Sequence, residues 1–187
     1  RLEAFIRLSH AIVIFPGGAG TAEELLYLIG IMLDKQNKEQ VLPIILTGPE
    51  QSKAYFESID HFIGEALGPE AQKLYQIVVG DAAKVAQIIK QKQNEVRDYR
   101  KQTGDAFGFN WSLKIASEFQ QPFIPTHHNM AALNLHFDQP KTQLAAALRQ
   151  VFSGIVAGNV KSEGVALIKN QGPFLLNGDS KLMRLMD

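Results

Sequence analysis

Ala11-Ile12-Val13-Ile14-Phe15 is an unbroken apolar run, the pattern of a parallel strand covered on both faces. From Thr21 onward the apolar positions Leu25, Leu26, Leu28, Ile29, Met32 and Leu33 change to the period of a helix. The same alternation continues to about Gln102. A helix ends near Ser9, the strand at 11–15 is followed by a helix over roughly 21–34, and Val41-Leu42-Pro43-Ile44-Ile45-Leu46-Thr47 reads as the next strand. A helix over 51–67, the strand Tyr75-Gln76-Ile77-Val78-Val79 and a long helix capped by Asp81 complete the series. This strand–helix order predicts an α/β architecture with a parallel sheet and right-handed crossovers. Around Thr103-Gly104-Asp105-Ala106-Phe107-Gly108-Phe109-Asn110 the periodicity breaks and aromatics gather, so two domains are expected, 1–103 and 104–187. The second is mainly helical: Pro140 to Val160 reads as one helix with Leu144, Ala147, Leu148, Val151, Phe152 and Ile155 on a face, and 164–187 as helix, loop, helix.

Between the first strand and its helix stand Pro16-Gly17-Gly18-Ala19-Gly20-Thr21-Ala22-Glu23-Glu24. Glycines let a backbone approach a ligand closely, and the unpaired N–H groups at the start of a helix attract anions. Gly17, Gly18, Gly20 and the Thr21 hydroxyl are therefore candidates for holding a phosphate. The bland alternative is a tight strand-to-helix turn without a ligand. Two familiar phosphate loops are excluded: Gly20 is followed by Thr21-Ala22 rather than Lys-Ser/Thr, and the glycines sit at one, two and four rather than one, three and six. Glu24 has two readings. Thr21-Ala22-Glu23-Glu24 is a capping box, in which the glutamate folds back on the threonine N–H. A carboxylate beside a phosphate also repels it, by roughly 1 kcal/mol at surface-like dielectric, so if the turn binds phosphate the acid there needs a second reason. Glu23 lies about 100° further round the helix, as a second contact or a ribose ligand.

The stretch from Pro16 to Glu24 resembles the PGGxGTxxE signature of the nucleotide 5'-monophosphate phosphoribohydrolases, the group with the cytokinin-activating "lonely guy" enzymes, long labelled lysine decarboxylases. Ser153-Gly154-Ile155-Val156-Ala157-Gly158-Asn159-Val160, Phe109-Asn110-Trp111-Ser112 and Thr126-His127-His128-Asn129-Met130 resemble its longer bacterial branch, the pyrimidine/purine nucleotide 5'-monophosphate nucleosidases. The resemblance implies a Rossmann-like catalytic core with a helical C-terminal extension. It implies hydrolysis of purine and pyrimidine nucleoside 5'-monophosphates to free base and ribose 5-phosphate, with no metal and no organic cofactor. By the same resemblance Glu24 is the catalytic carboxylate. Arg1, about fifteen residues before the PGG, would contact base or phosphate and assist the leaving group. Plant-type enzymes have Arg-Lys-x-x-Met there and this chain has Arg1-Leu2-x-x-Phe5, so the arginine is kept and the lysine is not. Arg7 is either a structural ion-pair partner or a second site residue. A homo-oligomer, dimer or tetramer, is implied, as is an effector of the guanosine-tetraphosphate alarmone type. The family carries further strands before this point, so the chain reads as a fragment.

Composition narrows the alternatives. Lys+Arg and Asp+Glu balance at 19 each, which gives no global field for nucleic acid. The chain has no cysteine, removing thiolate chemistry and zinc–thiolate sites, and no apolar run approaches the roughly 20 residues of a membrane span. A cytoplasmic protein without membrane or nucleic-acid partners is expected. His127-His128 has no accompanying carboxylate cluster and reads as loop or interface histidines rather than metal ligands. Trp111 with Phe107 and Phe109 could stack a purine, but reads better as a hydrophobic seam between the two parts. The Lys/Gln/Arg-rich stretch 81–101 reads as a solvated helix face. Two other functions fit the residues: a non-catalytic module that binds a nucleotide or phosphorylated ligand, and a cytokinin-activating phosphoribohydrolase. A pyridoxal-phosphate decarboxylase does not, since no lysine stands in a recognisable setting for that cofactor.

Overall fold

The computed structural model describes residues 2–186. In chain order its helices and strands are α1 (Leu2–Leu8), β1 (Ile12–Ile14), α2 (Ala19–Met32), β2 (Ile44–Gly48), α3 (Lys53–Leu67), α4 (Pro69–Gln72), β3 (Gln76–Val79) and α5 (Ala82–Gln102), then α6 (Ser117–Gln120), α7 (His127–Ala131), α8 (Lys141–Val160), α9 (Ser162–Gln171) and α10 (Ser180–Met186). The chain is α/β, with a three-stranded parallel sheet followed by a helical C-terminal part. It divides into two units. One joins the stretch up to Pro16 to Ile31–Ile115; the other joins Gly17–Gly30 to the stretch from Ala116 on.

In the first unit the strands lie in the order β1-β2-β3, with Ile12 opposite Ile44 and Ile45 opposite Gln76. Such a sheet needs apolar residues on both faces, and Ile44, Ile45 and Leu46 of β2 are all buried. Asp81 caps α5, accepting from the Lys84 N–H at 2.8 Å. The helix then sets Val85, Ile88 and Ile89 against Ile45 and Val78. One residue of α5 departs from the solvated face that its composition predicts. Arg100 is 1% exposed, and its guanidinium donates to the carbonyls of Ala106 and Phe107 at 3.0 and 3.2 Å and of Ser9 at 3.3 Å. The long aliphatic stem suits burial, and the carbonyls replace the lost water.

The aromatic segment after α5 is folded onto this unit by polar ties. Asp105 accepts from the N–H groups of Ala106, Trp111 and Ser112 and from the Ser112 hydroxyl. Asn110 donates its N–H to the Arg7 carbonyl at 2.8 Å. Phe107 stacks on His10 at 3.9 Å, while Trp111 meets Phe109 at 4.3 Å and remains 71% exposed. Both ring pairs lie within the α/β unit.

In the second unit α8 is the central helix, burying Leu144, Ala145, Leu148 and Val151. It meets α9 across a bend of 89° at Lys161. Their close approach depends on Gly164, where a Cβ would stand 2.2 Å from the Ala157 carbonyl oxygen. Two links fasten the start of α10 to the loop between α7 and α8: Asp179 donates its N–H to the Leu135 carbonyl at 3.0 Å and accepts from the Phe137 N–H at 2.7 Å. Among the described residues no single helix is long and apolar enough to cross a membrane.

Candidate functional site

Helix α2 begins at Ala19, two residues before the start that the capping-box reading predicts. Thr21 donates its N–H to the Gly18 carbonyl at 3.0 Å, and Ala22 donates to the same oxygen at 3.3 Å. The Thr21 N–H is thus bound within the first turn, and Thr21 is not the N-cap residue that a capping box requires. The earlier amides of Ala19 and Gly20 precede any intrahelical acceptor and stand at the N-terminus, where an anion is stabilised.

The glycines are needed for space. None of Gly17, Gly18 and Gly20 has a positive φ. At Gly17 a Cβ would fall 2.0 Å from Thr21 Oγ1 and 2.9 Å from Thr21 Cβ, so the threonine hydroxyl occupies the place of the missing side chain. Around Gly18 nothing lies within 4 Å of a Cβ, so the side on which a side chain would project is open. Gly17 and Gly18 are exposed, whereas Thr21, Glu23 and Glu24 are half-buried. The turn therefore brings together Gly17, Gly18, Gly20 and Thr21, with Glu23 and Glu24 on the next turn of the same helix.

The other residues singled out in the sequence fall elsewhere. Arg1 lies outside the described residues. Arg7 is a structural anchor: its Nε donates to Glu3 at 2.8 Å, and its Nη1 to the carbonyls of Asn110 and Leu113 at 2.8 and 3.1 Å. His127 hydrogen-bonds through Nε2 to the Gly172 carbonyl at 2.9 Å and meets the edge of Phe174, fastening α7 to the loop after α9. Among the described residues no group of three or more His, Asp or Glu side chains could hold a metal ion.

Helix α8 supplies a residue that the sequence reading missed. Arg149 is 6% exposed and its Cζ lies 5.8 Å from the centre of the Tyr27 ring. Its Nε and Nη2 are buried without a hydrogen-bond partner among the described residues. Burial pulls its pKa below the ordinary arginine value, with Glu23 and Tyr27 acting in the opposite direction; a guanidinium remains charged under such a shift. The signal for it was one cation placed between Leu148 and Val151, within the apolar run of α8.

Separately, the α/β unit has a cleft of about 340 Å³ lined by Phe15, Thr47, Gly48, Pro49, Gly80 and Asp81, among others. It opens at the carboxyl ends of the parallel strands, the usual ligand side of such sheets.

A family model described as "Pyrimidine/purine nucleotide monophosphate nucleosidase, C-terminal" matches residues 93–187. Another, described as "Possible lysine decarboxylase", matches residues 1–89. Three relatives, from Escherichia coli strains K12, O6:H1 and O157:H7, each bear the name pyrimidine/purine nucleotide 5'-monophosphate nucleosidase. Each is 54% identical over 187 residues, which is 100% of this chain and 41% of the relative. The chain thus spans about two fifths of the length of these relatives.

Proposed function

The chain belongs to the pyrimidine/purine nucleotide monophosphate nucleosidase family, and from that membership we propose that it forms part of an enzyme hydrolysing the N-glycosidic bond of purine and pyrimidine nucleoside 5'-monophosphates. The products are the free base and ribose 5-phosphate. The turn holds the 5'-phosphate through the backbone N–H groups of Gly17, Gly18 and Gly20 and through the Thr21 hydroxyl. Phosphate at a helix N-terminus is stabilised by oriented amides together with the helix dipole. Glu24 acts on the ribose: its carboxylate stabilises the oxocarbenium-like charge, orients the 2'-hydroxyl and activates the attacking water. Glu23 is the second carboxylate behind it, and Arg1 assists the departing base. The reaction needs no metal and no organic cofactor. The enzyme works as a cytoplasmic homo-oligomer, with an alarmone of the guanosine-tetraphosphate type as effector.

One observation carries this reading. Thr21 lies inside α2, which begins at Ala19, and donates its N–H to the Gly18 carbonyl, so it is not the N-cap residue of the helix, and a carboxylate one turn from an anion cradle fits a chemical role. The test is release of ribose 5-phosphate from a panel of nucleoside monophosphates by the intact protein and by Glu24→Gln. Wild-type release with at least a hundredfold loss in the variant is expected, the scale of a general acid–base contribution. Equal turnover by the two would remove Glu24 from the mechanism; nucleotide binding without release by the wild type would leave a binding module.

A further inference from the structure

Three contacts define how α2 and α8 face each other. Gly30 lies against Ala145, where a Cβ would come within 3.1 Å of the alanine Cβ. Tyr27 lies under Arg149, and a Cβ on Gly20 would stand 3.8 Å from Val156 Cγ2. Going down α2 from 30 to 27 to 20 means going up α8 from 145 to 149 to 156, so the helices run antiparallel. Glu23 stands four residues before Tyr27 and three after Gly20, which puts it on this same face. Arg149 is accordingly the buried cation opposite the acidic turn of α2, and Glu23 is the carboxylate whose charge acts on it most strongly.

We propose that Arg149 is a positioning residue for the phosphate turn: through Glu23 it offsets the negative charge of α2, so that a phosphorylated ligand can sit at Gly17–Thr21 beside two carboxylates. A phosphate and a carboxylate within one helical turn repel each other, and water screens that repulsion poorly in a half-buried site. A guanidinium fixed on the facing helix supplies the compensating charge. Its burial is costly unless an anionic neighbour is present, and its Nε and Nη2 donors are buried with no hydrogen-bond partner among the described residues. Arg149 reaches the ligand only through Glu23, and the α2–α8 packing couples the helical part to the phosphate site.

The proposal rests on the reading of the turn as a phosphate cradle, and its test is separate from turnover. Binding of ribose 5-phosphate by the intact protein is measured by calorimetry for wild type, Arg149→Met, Arg149→Lys, Glu23→Gln and the double variant Glu23→Gln/Arg149→Met. Arg149→Met should weaken binding about tenfold, the size of one coupled charge pair. Arg149→Lys should recover most of it. Adding Glu23→Gln to Arg149→Met should restore affinity, because the charge to be offset has been removed; an arginine that merely supports the core would not be rescued in this way. Thermal unfolding of each variant identifies any that fail to fold, and Arg149→Lys with its charge intact keeps the comparison open in that event. Unchanged affinity in Arg149→Met, or a loss that Glu23→Gln does not relieve, would overturn the proposal. Wild-type protein that binds no ribose 5-phosphate would overturn both this and the phosphate cradle, whereas binding without turnover would overturn only the hydrolase.

Discussion

Gly17→Ala is the most direct probe of how the turn is built. The added methyl would lie 2.0 Å from Thr21 Oγ1 and 2.9 Å from Thr21 Cβ. Close carbon–oxygen contacts settle at roughly 3.3 Å, so the hydroxyl would have to retreat by more than about 1 Å. Thr21 is β-branched on a helix and has few rotamers to retreat into; the backbone must shift as well. Overpacking of this kind costs about 1–3 kcal/mol. Loss of the hydroxyl from a bound phosphate would remove a charge-assisted hydrogen bond of about 1.5–3 kcal/mol, roughly a 10- to 150-fold loss in ligand affinity. The assay is urea unfolding of a double-mutant cycle with Thr21→Ala. If the steric argument holds, Gly17→Ala is far less damaging when the threonine side chain is absent, with a coupling of about 1 kcal/mol or more. Gly18→Ala is the control: its Cβ meets nothing within 4 Å and its φ is not positive, so stability should stay within about 0.5 kcal/mol of wild type. Its methyl would nevertheless project into the space assigned to the ligand, and ribose 5-phosphate binding should fall. Strictly additive Gly17 and Thr21 effects would refute the contact as the reason for the glycine.

Gly30→Ala should destabilise by about 1–3 kcal/mol in urea unfolding, because its methyl would stand 2.3 Å from Phe119 Cζ, a ring that is itself buried; Phe119→Leu should relieve most of that loss. Asp105 gives a pH signature. Burial would raise its pKa, but the hydrogen bonds from Ser112, Trp111 and Ala106 outweigh that and hold it below the ordinary carboxylate value. A carboxyl depressed on folding contributes stability that is complete above the unfolded-state pKa of about 3.9 and is lost as pH falls through the lower folded value. The stability gap between wild type and Asp105→Asn should therefore be constant near neutrality and close below about pH 4; a gap unchanged at pH 2 would contradict the assignment.

The elements legible in the sequence are those whose signal is carried by side chains. The apolar run at 11–15, the helical period after Thr21 and the Asp81 cap all occur in the structure as β1, α2 and α5. The start of α2 was misplaced by two residues because the deciding acceptor is the Gly18 carbonyl, a group that every residue possesses. Arg100 was hidden for the same reason. Its hydrogen-bond partners are the carbonyls of Ala106, Phe107 and Ser9, groups that every residue possesses, and within a Lys- and Gln-rich helix it reads as surface.

At the candidate site the legible part and the hidden part meet in single residues. Gly17 was readable as a glycine that permits close approach, yet the structure gives it a more specific cause: the fourth residue on, Thr21, fills the space its own side chain would need. Gly17 lies two residues before α2, where the chain passes close over Thr21. The spacing between the first glycine and the threonine is therefore a contact, and the hydroxyl is held at the mouth of the turn by the absence of a methyl group. Arg149 follows the same logic across two helices. Tyr27 and Glu23 share one face of α2, so a cation seated over the tyrosine ring is on the same side as the carboxylate and feels its charge. That relation needs the antiparallel pairing of α2 with α8, and 126 residues of chain separate Glu23 from Arg149. Such a pairing is set by the folded packing of Gly30 on Ala145 and Gly20 on Val156, small side chains whose sequence pattern says only that two surfaces can approach closely.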